Sequence, residues 1–66
     1  MQVTVNGEAR SLPEDCDVPA LLAGLGLGLG YVVVERNGTA LTRSEAALTA
    51  LAEGDVVELV RAVAGG

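Results

Sequence analysis

The sequence predicts an α+β domain, a mixed sheet of about five strands packed on one short helix, and three features of its 66 residues carry that expectation. Two Asn-Gly pairs, Asn6-Gly7 and Asn37-Gly38, follow runs rich in valine and mark two-residue hairpin turns. Val18, Leu21, Leu22 and Leu25 fall at the i, i+3, i+4, i+7 spacing of one helix face. The last strand, DVVELVRAV, is mostly apolar on both of its alternating faces, as a strand in the middle of a sheet would be.

Taken in order, QVTVNGEARSL reads as a hairpin. Val3 and Val5 share a face, the turn lies at Asn6-Gly7, and the returning strand runs from about Glu8 to Leu12. Pro13 ends the ladder because it has no N–H to give. Asp17 is a good N-cap and Pro19 suits the first helical turn, with Glu14 and Asp15 adding negative charge beside the positive end of the helix dipole. A helix of two to three turns is too short to stand alone in water, so it must lie against the sheet.

The glycine-rich run GLGLGLG, residues 24–30, does not make a nucleotide loop. A G-x-G-x-x-G pattern starting at Gly24 or Gly26 would need glycine where Leu29 and Tyr31 stand, and the run follows a helix instead of opening one. It reads as a helix C-cap at Gly24 or Gly26 and a connection whose leucines dip into the core. YVVVERNGTAL is a second strand–turn–strand. Either face of its first strand leaves a charged residue to be accounted for. In RSEAALTALAEGD, Ser44 and Glu45 start a short helical turn, and Leu48 and Leu51 are expected to reach inward from an irregular crossover. The final strand presents Val57, Leu59, Arg61 and Val63 on one face and Val56, Glu58, Val60 and Ala62 on the other. It is expected to sit beside the first strand, with the helix covering one face and the other partly exposed.

Composition excludes most chemistry. The chain has one cysteine, no histidine and no lysine, hence no internal disulfide, no credible metal set and no Walker lysine. Cys16 sits before a helix, but Glu14, Asp15 and Asp17 oppose a thiolate there, so it reads as structural. A net charge of −5 with four scattered arginines argues against nucleic acid and favours docking on a basic protein surface. No apolar run approaches the ~20 residues that span a bilayer, and no signal-peptide pattern opens the chain, so a cytoplasmic location is expected. One domain, residues 1–66, is expected, with 62–66 as a flexible C-terminal tail.

The tail holds the remaining chemistry. RAVAGG ends on Gly65 and Gly66, residues that a packed terminal strand would be least inclined to use. Five residues at ~3.3 Å each reach about 16 Å beyond the sheet, and an arm without side chains can enter a channel that would exclude a Cβ. The α-carboxylate of Gly66, with a reference pKa of ~3.5, is ionised and unreactive toward nucleophiles until activated, most simply as an acyl-adenylate. Mg²⁺ and cationic groups of another protein would handle the ATP phosphates.

The segments QVTVNGEAR, VPALLAGLGL, VVVERNG, LTRSE and EGDVVELVRAVAGG resemble, in order and over nearly the whole chain, the ThiS family of thiamine-biosynthesis sulfur carriers, which have the ubiquitin-like β-grasp fold. The chain departs from that pattern at Thr42, at Ala46-Ala47, and at Ala64-Gly65-Gly66, where the family often ends on three glycines. The resemblance implies a carrier that is not itself an enzyme and binds no cofactor. An E1-like adenylating enzyme (ThiF-like) would activate Gly66 with ATP and Mg²⁺. A sulfur donor such as a cysteine desulfurase would convert it to a thiocarboxylate, and thiazole synthase (ThiG-like) would take the sulfur. Gly65 and Ala64 would form the tail, and Val56, Val60 and Ala62 a docking patch for the partners. Three alternatives share the fold: a molybdopterin-synthase small subunit, a protein modifier or tRNA-thiolation carrier, and a non-covalent β-grasp binding module.

Overall fold

The computed structural model describes residues 1–61. Its elements run β1 (Gln2–Val5), β2 (Glu8–Ser11), α1 (Val18–Gly24), a 3₁₀ turn (Leu29–Tyr31), β3 (Val32–Arg36), β4 (Thr39–Leu41), α2 (Arg43–Ala47) and β5 (Val56–Arg61). The five strands form one sheet in the order β2-β1-β5-β3-β4. β5 runs parallel to β1 and antiparallel to β3, so the last strand is central and lies beside the first, as its two apolar faces predict. The tail expected at 62–66 lies outside the described residues.

Both Asn-Gly turns form with both residues at positive φ, +49° and +81° at Asn6-Gly7 and +51° and +84° at Asn37-Gly38, the geometry of a type I′ turn. The asparagines also do something that turn propensity does not report. The Leu59 N–H donates to Asn6 Oδ1 at 2.7 Å while the Asn6 N–H donates to the Val57 carbonyl at 2.9 Å. On the other side of β5, the Val56 N–H donates to Asn37 Oδ1 at 2.8 Å and the Asn37 N–H to the Val56 carbonyl at 2.7 Å. Each turn thus extends its ladder with a side chain, and the two together hold β5 from both edges.

Helix α1 is capped at both ends. Asp17 accepts from the Ala20 N–H at 2.8 Å, and Pro19 lies in the first turn. At the C-terminus, Gly26 at φ +73° donates to the Ala23 carbonyl and Leu27 to the Leu22 carbonyl, the paired bonds of a Schellman motif. The glycine that ends the helix is therefore Gly26, and Leu25, Leu27 and Leu29 pack half-buried against the core. That core joins Val3, Val5, Val34 and Val57 of the sheet to Val18, Leu21 and Leu22 of the helix, with Cys16, Ala46 and Leu51 closing its ends.

The crossover differs from expectation in two respects. Residues Arg43–Ala47 form a true helix, capped by Thr42 and not by Ser44. The Glu45 N–H donates to Thr42 Oγ1 at 3.1 Å and the Thr42 N–H to Glu45 Oε1 at 2.7 Å, a reciprocal capping box. Leu51 is buried, as expected, but Leu48 is 89% exposed. The helix turns Ala46 toward the core, and a residue two positions on points to the opposite side, so Leu48 faces outward.

The open choice of face in β3 resolves through an ion pair. Val34 faces the core, which carries Arg36 to the same side, where its Nε donates to Asp55 Oδ2 at 2.9 Å. Asn37 Nδ2 and the Ala52 N–H also donate to Asp55, at 3.0 and 2.8 Å. Burial alone would raise this carboxyl, but the bonds from Asn37, Ala52 and Arg36, with the Arg36 charge, bring it below the ordinary aspartate range. A depressed folded pKa contributes stability that is present above the unfolded value of ~3.9 and lost as pH falls through the folded one. Urea midpoints measured from neutral pH downward should therefore drop below about pH 4 in the wild type, with a shallower drop in Asp55→Asn. Equal slopes in the two proteins would contradict that role for Asp55.

Candidate functional site

Helix α1 and the crossover cover one face of the sheet, and the alternation of β5 sends Val56, Glu58 and Val60 to the other. Val56 and Val60 are 45% and 55% exposed, so the structure brings two of the proposed docking residues onto one open surface. Ala62 lies outside the described residues, as do Ala64, Gly65 and Gly66. The sheet register adds a residue that sequence reasoning missed: Val33 stands directly across from Val60 and is 46% exposed. The signal was present in the run VVVER, but choosing its outward valine required knowing that Arg36 turns inward to Asp55.

Charge on this face is acidic. Glu35 of β3 lies directly opposite Glu58 of β5, a like-charge pair that a sheet disfavours. The surface is thus a valine patch beside two carboxylates, next to the end of the strand that leads into the tail. It suits a partner with an apolar centre and cationic neighbours.

No constellation within residues 1–61 suggests catalysis. Cys16 is buried, its Sγ donates to the Asp17 carbonyl at 3.5 Å, and burial, followed by the Asp17 and Asp15 charges, raises its pKa. The thiol is therefore protonated at neutral pH, as the neighbouring acids imply. Among the described residues, no group of three or more His, Cys, Asp or Glu side chains is placed to hold a metal ion, and no helix is long and apolar enough to cross a membrane.

A mixed sheet with its last strand between the first and the third, one main helix across a single face and a helical crossover before the last strand define a ubiquitin-like β-grasp domain. Solved structures agree. The crystal structure of the thiamine biosynthesis protein ThiS from Geobacter metallireducens superposes with a TM-score of 0.83 at 36% identity, over all of both chains. The solution structure of the thiamine biosynthesis protein from the same organism gives 0.79 at 36% identity, over all of this chain and 88% of that one. The ThiS family profile matches residues 3–66. The chain belongs to the ThiS family. It is also similar to a thiazole synthase of Paramagnetospirillum magneticum, 38% identical over the 66 residues, and to one of Magnetococcus marinus, 33% identical over the same length. The chain spans about a fifth of the length of these curated relatives, covering 20% of each.

Proposed function

We propose that the chain carries sulfur as a thiocarboxylate on Gly66 and delivers it for thiazole formation in thiamine biosynthesis. The observation that carries this reading is the family match, which runs to residue 66 and so takes in the Gly65-Gly66 pair. The chemistry follows from the inertness of a carboxylate. The Gly66 carboxylate attacks the α-phosphorus of ATP on an E1-like adenylating enzyme, pyrophosphate leaves, and the carbonyl becomes an acyl-adenylate. A persulfide on the sulfur donor attacks the acyl carbon and AMP leaves. A thiol then attacks the donor's sulfur in the resulting acyl disulfide, forming a new disulfide with the donor and releasing the thiocarboxylate. A terminal sulfur is softer and more nucleophilic than the oxygen it replaces, and tethering avoids free sulfide. Mg²⁺ and ATP belong to the activating partner, and this chain supplies the acyl group.

Two thiazole synthases that each contain a stretch similar to this whole chain support thiazole synthase as the sulfur acceptor. Joining two modules in one polypeptide raises their effective concentration, which is useful when the two must meet. The valine patch of Val33, Val56 and Val60, with Glu35 and Glu58, is the surface on which we place the docking of these partners. Intact mass spectrometry tests the reading. After incubation with ATP, the adenylating enzyme and a sulfur donor, the chain should gain the mass of one oxygen replaced by sulfur. An unchanged mass would leave an inert binding module, and covalent adducts on lysines of other proteins would favour a modifier.

A further inference from the structure

Arg61, the last described residue of β5, pairs in register with Val32 and closes one side of a cleft whose other walls are Gly26, Leu27, Gly28 and Tyr31. We propose that this cleft selects the chain for activation by receiving a carboxylate-bearing, apolar-edged segment of the adenylating partner. The inference rests on the reading of Gly66 as the adenylated group.

Three observations and one general property of arginine and tyrosine carry it. Tyr31 is the chain's single aromatic residue and is 71% exposed, with its ring beside the bare backbone of Gly28. A Cβ at Gly28 would stand 3.2 Å from Tyr31 Cδ2, so the ring lies in close contact with the glycine backbone. Arg61, like Arg10 and Arg43, forms no ion pair among the described residues, although the chain has nine carboxylates to four arginines. Arg36, by contrast, is committed to Asp55. Arginine and tyrosine are residue types that dominate binding energy when a partner covers them.

Position supplies the last step. Gly66 lies five residues past Arg61, at most about 18 Å away along an extended chain. A protein that encloses Gly66 for chemistry therefore comes within that distance of Arg61, which borders this cleft. The valine patch faces the other side of the sheet at the same level, since Val60 and Val33 are the register neighbours of Arg61 and Val32. Selection belongs at activation because that step consumes ATP and commits the chain, whereas the acceptor meets a chain already charged. The Arg61 guanidinium, without an ion-pair partner among the described residues, suits an anionic group, and the tyrosine face suits an apolar edge beside it.

The test uses the full chain, its adenylating enzyme and ATP, following pyrophosphate release. Arg61→Glu and Tyr31→Ala should each raise KM about tenfold with kcat near the wild-type value, and Arg61→Lys should recover part of the loss. Arg43→Glu, which alters an arginine in a separate cleft beside Gly30, should leave KM unchanged. Unfolding midpoints matching the wild type would show that each variant is folded. If Arg61→Glu and Tyr31→Ala keep the wild-type KM, or Arg43→Glu raises it equally, the cleft has no selective role. A wild-type chain that is never adenylated would overturn the Gly66 reading itself and the cleft with it, an outcome distinct from normal adenylation of the variants.

Discussion

Gly66→Ala is expected to reduce adenylation about a hundredfold while leaving the urea unfolding midpoint where it is. The added methyl group stands beside the carbonyl that must reach the α-phosphorus of ATP. A displacement of about 1 Å at a reacting centre costs on the order of a hundredfold in rate. The core among the described residues extends from Val3 to Val57. Adenylation rate and stability should therefore separate cleanly. A variant that loses both together would show Gly66 acting through the fold, and a variant that is adenylated normally would remove the reason for a bare glycine arm.

Leu22→Ala should have the opposite signature. Leu22 is 1% exposed, sits at the last turn of α1 and supplies the carbonyl that accepts from Leu27. Truncating it leaves a cavity between helix and sheet and should cost about 2–5 kcal/mol. A domain of this size holds little more than that in total, so a large unfolded fraction is expected at room temperature in the absence of urea. Leu48→Ala is the matched control: at 89% exposure it should shift stability by no more than about 0.5 kcal/mol. Equal destabilisation by the two leucine variants would contradict the burial that separates them.

That pair of leucines also shows where the sequence was legible. Local patterns with a single structural solution read correctly: Asn6-Gly7 and Asn37-Gly38 as hairpin turns, Asp17 and Pro19 as a helix start, and the two-faced strand at 56–61 as central. Leu48 misled because the helical turn before it was started at Ser44 and followed by an irregular crossover, although Thr42 and Glu45 spell a capping box three residues apart. Once that helix exists, Ala46 takes the inward position and Leu48 cannot. Arg36 was ambiguous for a different reason. Its partner Asp55 is 19 residues away, and nothing in the spacing of the two announces that they meet. Val33 shared that ambiguity, so one-third of the exposed valine patch was invisible until the register was known. The chemistry expected of the tail rests on RAVAGG alone and lies outside the described residues, so the fold neither adds to it nor takes from it.

The most direct measurement follows sulfur itself. The chain is charged with labelled sulfur and supplied to thiazole synthase, in parallel with a version lacking Gly65 and Gly66. The account requires label in the thiazole product from the intact chain and none from the shortened one. Labelled thiazole from the shortened chain would contradict it.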